Sequence, residues 1–161
     1  MNQPTTPRQS EDILAFLDRA ITATEEAARA AAATDPAPWT AATGTSPTND
    51  HDHAAGSGLL LNAADEPLWD CEQSGTLCMT AAASIHAALH DPEAVLRRCT
   101  ADRKLIALHQ PDGWTCKVCA NEEQADEDSE GEYHWSRSGL TSPCPTIEVL
   151  AEGYGWTEGA L

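Results

Sequence analysis

Phenylalanine occurs once in this chain and tyrosine twice, and aromatic residues make up only 5% of its 161 residues. A core built mainly on large rings is therefore excluded. The apolar share is 41%, yet much of it is alanine, which buries little area per residue. Cations are scarce too: nine lysines and arginines stand against 26 carboxylates, for a formal net charge of −17. Phosphate contacts need Lys and Arg, so this balance argues against nucleic-acid binding and against adsorption to an anionic membrane. It is compatible with a basic protein partner. No apolar run approaches the roughly 18 residues of a membrane helix. The opening "MNQPTTPRQSEDILAFL" lacks the basic-then-apolar pattern of a secretory signal. These absences lead to the expectation of a reducing cytoplasm. The six cysteines would then be thiols and metal ligands rather than disulfides.

Catalytic signatures are missing as well. There is no phosphate loop, no Gly-x-Ser-x-Gly and no dinucleotide fingerprint. A zinc deaminase requires Pro-Cys-x-x-Cys with His-x-Glu or Cys-x-Glu, and neither of the latter occurs. The chain therefore leans away from an enzyme.

The apolar spacing predicts an α+β fold, mainly α-helical, with three longer helices, one β-hairpin and a short C-terminal helix. Residues 1–9 read as a flexible N-terminus. Residues 10–161 read as one small domain with flexible loops at 43–58 and 120–133. Ser10 is placed to cap a first helix over about 11–33, with Ile13, Leu14, Leu17, Ile21 and Ala28 on one face. Asp35, Pro36 and Pro38 end it, and Trp39 is expected to fold back onto the core. "LLLN" at 59–62 and "LWDC" at 68–71 read as the two strands of the hairpin. A second helix is expected from about Thr76 to Leu89. A third starts at Asp91-Pro92-Glu93, where Asp caps and Pro fits the first turn, and carries His109 at its far end. "NEEQADEDSEGE" at 121–132 has seven carboxylates and no base, which reads as a solvated loop. The last helix is expected from Thr146 to about Gly153.

The chemistry concentrates in "HQPDGWTCKVC", residues 109–119, and "PCPT", residues 143–146. Cys116 and Cys119 have the Cys-x-x-Cys spacing of a zinc knuckle, in which one turn aims two thiolates at one ion while backbone N–H groups bond the sulfurs. Cys144 lies between two prolines at a helix N-terminus, where a thiolate is favoured. His109 is the best fourth ligand, and His134 is the alternative. The proposed set is His109, Cys116, Cys119 and Cys144, around a structural Zn2+. The competing readings are a redox pair, for which the strand-then-helix context is absent, and three ordinary thiols.

Other residues form weaker candidates. His86 and His90 are four apart on a predicted helix and share a face. They could begin a second metal site or a metal-dependent hydrolase, although no His-Glu-x-x-His is present. Packing or capping at the helix end is the simpler role. "HDH" at 51–53 lies in a predicted loop. Cys71, Cys78 and Cys99 lack knuckle spacing, and Cys99 is expected in the core. Arg97, Arg98, Arg103 and Lys104 form a basic strip, expected to pair with carboxylates of the same chain rather than with nucleic acid.

The order of blocks carries a resemblance. "DILAFLDRAITATEEAARAA", "PAPW", "SIHAALHDPEAVLRRCTADRKLIALH", the Cys-x-x-Cys and "PCPTIEVLA" together resemble a family of small actinobacterial and actinophage proteins, catalogued as a domain of unknown function. The similarity covers about half the chain. It falls on His86, His90, Asp91, Pro92, His109, Cys116, Cys119, Pro143, Cys144, Pro145 and Thr146, and so implies His109 rather than His134 as the fourth ligand. The acidic stretch is longer and more charged than the family pattern. The tail keeps Tyr154 but lacks the family's Ala-Asp-His-Pro. The resemblance implies no known activity. The expectation is a zinc-stabilised, non-enzymatic accessory or interaction protein of phage derivation, with a protein partner. A nucleic-acid-binding zinc module is the third reading, disfavoured by charge.

Overall fold

The structure, a computed structural model, describes residues 7–43, 58–68, 79–120, 124–127, 132–136 and 139–157. The fold is α+β and mainly helical. In chain order the elements are α1 (Pro7–Thr34), β1 (Thr40–Thr43), β2 (Gly58–Leu61), α2 (Ala81–Leu89), α3 (Pro92–Leu108), β3 (Pro111–Asp112), β4 (Thr115–Ala120), β5 (Gln124–Glu127), β6 (Tyr133–Ser136), β7 (Gly139–Thr141) and α4 (Pro145–Gly153). Among the described residues the strands form three small antiparallel sheets: β1-β2, β3-β4-β7 and β5-β6. The chain divides into two compact units. One comprises Met1–Ala23 with Thr100–Leu161, the other Thr24–Cys99.

The first unit contains the candidate site. Ile13 and Leu17, one helical turn apart on α1, are buried with Cys116, Cys144, Ile147 and Ala151. Leu14, Phe16, Ile106, Cys119, Leu150, Tyr154 and Trp156 pack around them. Phe16 meets Trp156 edge to face, with ring centres 5.0 Å apart. The single phenylalanine is thus spent at the rim of this core. Asp102 is buried on α3 and accepts a 2.6 Å hydrogen bond from the Tyr154 hydroxyl. Tyr154 is the C-cap of α4, so this bond ties the end of α4 to α3. Arg103 reaches across to α1, donating to Asp18 and Thr22 at 2.9 Å each. In the second unit, Arg97 pairs with Glu93 one turn away at 3.4 Å. The basic strip is therefore engaged, in these two members, within the chain.

The second unit is organised by caps and turns. Asp91 Oδ1 accepts the Ala94 N–H at 2.6 Å, which is the helix start expected at Asp91-Pro92. Thr80 caps α2 through the Ala83 N–H. The Trp39 indole folds back to the Asp35 carbonyl at 2.9 Å. Asn62 builds a turn: its side-chain oxygen accepts from the N–H groups of Ala64 and Glu66. Gly58 lets β2 approach α2. A β-carbon there would overlap Ser84 Oγ and sit 2.7 Å from the Ala81 Cα.

Several boundaries differ from the sequence expectations. α1 begins at Pro7, so Ser10 lies inside the helix and not at its cap; proline is favourable in a first turn. β2 pairs along its length with β1, Thr40 facing Leu61 and Thr43 facing Gly58. The expected partner at 68–71 is described only at Leu68, whose N–H bonds the Leu60 carbonyl. β5 lies within the acidic stretch expected to be a loop, paired in register with "YHWS" of β6. The β-favouring Tyr and Trp of β6 supply the partner that a reading of charge alone overlooks. The 44–57 part of the expected first loop, "HDH" at 51–53, and the predicted start of α2 at Thr76 lie outside the described residues.

Gly58→Ala should cost about 1–3 kcal/mol through overpacking against α2, read as a lower urea midpoint. Gly153→Ala, where an added β-carbon meets nothing within 4 Å, should be neutral or slightly stabilising. Tyr154→Phe should cost about 1–3 kcal/mol, because the Asp102 carboxylate stays buried without its donor. The same chemical denaturation experiment measures it.

Candidate metal centre

His109 is delivered by the end of α3. Its backbone N–H still bonds the Leu105 carbonyl at 3.0 Å, so the ring rides on the last turn. Gln110 closes that end by donating its side-chain amide to the Ile106 carbonyl at 2.8 Å. The chain then reverses through Gly113-Trp114. Gly113 has φ 64°, a conformation glycine adopts without steric cost. Pro111 pairs with Cys116 and Asp112 with Thr115. The "QPDGWT" turn thereby returns the chain beside His109.

Cys116 and Cys119 converge because β4 is irregular. Thr115 pairs with Thr141 and Ala120 with Gly139, so the intervening residues of β4 outnumber those of β7 and form a bulge. In a regular strand, positions three apart point to opposite faces. The bulge removes that restriction, and both sulfurs reach one point. Backbone N–H groups of Cys119 and Val118 bond the Cys116 sulfur, which is the knuckle arrangement. Cys144 is the N-cap of α4, with Pro145 at the first helical position and no capping bond from its side chain. Its carbonyl accepts from the Ile147 and Glu148 N–H groups. The sulfur is left for the site, at the positive end of the helix.

The four donor atoms lie within 4.8 Å of one another and form a group that could hold a metal ion. His109 Nδ1 is 3.5 Å from Cys116 Sγ, 3.5 Å from Cys119 Sγ and 3.4 Å from Cys144 Sγ. A ring nitrogen carries one lone pair or one hydrogen, so it can make one hydrogen bond to sulfur, not three of equal length. Equal approach by three sulfurs is the geometry of a shared centre. Cys116 and Cys144 are fully buried, while Cys119 and His109 are half-buried.

The electrostatics divide the thiols. Burial acts to raise Cys116, but the N–H groups of Cys119 and Val118 and the side chains of His109 and Cys144 outweigh it, lowering its pKa to about 7. Cys119 is pushed up to about 11 by burial and by the neighbouring Cys116 and Cys144. Once one thiolate forms, the next is opposed by it. A cation at the centre would reverse that opposition.

All four residues singled out in the sequence are brought together. His134 lies on β6, in register with Asp126. Cys99 is buried on α3, as expected for a core residue. His86 and His90 are adjacent, with ring centres 4.6 Å apart, and His90 is the C-cap of α2. No third ligand joins them in a metal-competent group among the described residues. Cys71 and Cys78 lie outside those residues. What sequence reasoning missed is the bulge, whose signal is the pairing of β4 with β7.

Fold and site together define a small α+β protein with a converging Cys3His group. The chain belongs to the family of unknown function DUF6221, whose model matches residues 10–155. No curated protein and no solved structure matches it. Among the described residues no helix is long and apolar enough to cross a membrane.

Affinity of the group for a thiophilic divalent ion should rise with pH. Cys119 must lose its proton throughout the neutral range, so affinity should climb at least about tenfold per pH unit. Below about 7, where Cys116 is also protonated, the slope should steepen. Competition against a chromophoric chelator at pH 6, 7 and 8, corrected for the chelator's own protonation, measures this.

Proposed function

We propose that His109, Cys116, Cys119 and Cys144 hold a structural Zn2+, and that the protein is a zinc-stabilised accessory or interaction module without a catalytic role. The observation that carries this reading is the set of three sulfur-to-Nδ1 distances, 3.4–3.5 Å. A tetrahedral zinc with Zn–S about 2.3 Å and Zn–N about 2.0–2.1 Å would separate sulfur from nitrogen by about 3.5 Å. Four protein donors complete the tetrahedron and leave no open position for substrate, which is the mark of a structural rather than a catalytic zinc.

The role of the ion is to fasten. The donors come from the end of α3, the bulged β4 and the start of α4. Two of the six residues in the buried cluster are themselves ligands. A core with so few large side chains gains most from such a staple. In finger peptides zinc supplies roughly 10–16 kcal/mol of folding free energy.

The accessory reading draws on the surface. Trp114, Val118 and Leu140, all from the β3–β4 turn, β4 and β7, are exposed. The acidic stretch follows β4 directly, and the whole chain carries net charge −17. This combination suits a basic protein partner. Reduced thiols fit a cytoplasmic setting. The Arg-over-Lys and alanine-rich composition fits an actinobacterial or phage source.

Native mass spectrometry of the reduced protein, wild type beside Cys144→Ser and His109→Ala, tests the site. One zinc per chain is expected in the wild type, weakened or lost in both variants. A wild type that leaves stoichiometric zinc unbound would sink the reading.

A further inference from the structure

We propose that His86 and His90 form a second metal site, a two-histidine chelate for a divalent late transition metal with square-planar or tetragonal geometry, nickel(II) or copper(II). The site lies at the end of α2 and is independent of the thiolate group.

The spacing brings the two rings together. Residues four apart on a helix are surface neighbours. His86 is in the last turn of α2 and His90 is its C-cap, and both are exposed. Their ring centres are 4.6 Å apart and their planes are inclined by 55°. An ion about 2.0 Å from one nitrogen of each ring would lie about 3.2 Å from each ring centre. Ring centres 4.6 Å apart lie within the span that one ion in contact with both rings allows. Paired imidazoles with open positions beside them suit copper(II) and nickel(II).

Two further features suit a cation at this place. The C-terminal end of a helix carries partial negative charge. The backbone is already fixed there: the His90 N–H bonds the Ala87 carbonyl, so chelation need not reorder the helix end. The adjacent Asp91 is buried, with its Oδ1 turned to the Ala94 N–H as the cap of α3, and the two exposed donors are the imidazoles. Two protein donors leave the other coordination positions to water or to a donor from another molecule. This differs from the thiolate centre, where the protein provides a full set. Soft sulfur donors and paired imidazoles also select different ions, which keeps the two sites apart.

The test uses the full chain, reduced and pre-loaded with one equivalent of Zn2+, titrated with Ni2+ by calorimetry while nickel–thiolate charge-transfer absorption is followed. Nickel avoids the oxidation of thiols that copper(II) would bring. One Ni2+ per chain should bind without a sulfur charge-transfer band. His86→Ala and His90→Ala, both at exposed positions, should each weaken binding by roughly tenfold or more, because a chelate becomes a single contact. A His51→Ala/His53→Ala double variant should bind as the wild type does. Equal nickel affinity in wild type and His86→Ala would overturn the proposal. So would uptake accompanied by a sulfur band and zinc release, or loss of binding only in the His51/His53 variant.

Discussion

Thiolates aimed at one point oppose one another unless a cation or protons lie between them. That constraint governs the first unit. Cys116 is pulled down to about 7, against its burial, by the N–H groups and side chains around it, while Cys119 is driven up to about 11 by burial and by the neighbouring Cys116 and Cys144. The same cysteines belong to the apolar cluster with Ile13, Leu17, Ile147 and Ala151. The residues that could hold an ion are therefore also residues of the core. Ile13 and Leu17 of α1 are buried where β4 and α4 come together.

Local spacing made the donor set legible. Cys-x-x-Cys, the proline-flanked Cys144 and a histidine at a helix end are each defined within a few residues, and their chemistry is fixed by residue type. The helices were legible for the same reason: Asp91-Pro92 is a start signal whose bond to Ala94 is present in the fold. The strands were harder. The pairing of β1 with β2 joins segments separated by residues 44–57, and nothing in "TAAT" announces it. β5 was hidden by its carboxylates, since charge reports solvation and not backbone pairing. The bulge in β4 exists only because β7 arrives beside it, and β7 is three residues long. The Tyr154–Asp102 bond was likewise invisible, since a buried carboxylate is recognised by its surroundings rather than by its type.

Membership of DUF6221 extends over most of the chain and brings no activity with it. The weight of interpretation therefore falls on geometry. That geometry comprises four converging donors, a core with few large side chains and exposed apolar side chains on the small sheet. Within that frame the unusual acidity becomes intelligible as a surface property, with little bearing on the core.

The placement of α1 has a consequence for biosynthesis. Its buried face, Ile13 and Leu17, is translated early, whereas the residues that cover it, from Cys116 to Ala151, emerge near the end. For most of the ribosome's passage that face has no native partner within the first unit. Folding of this unit is dominated by contacts of long sequence separation, the kind that form slowly and leave apolar surface open in the interval. The buried part of that face is small, with only Ile13 and Leu17 of α1 in the buried cluster. A nascent chain of this design can wait for its final third while offering little for aggregation to seize upon.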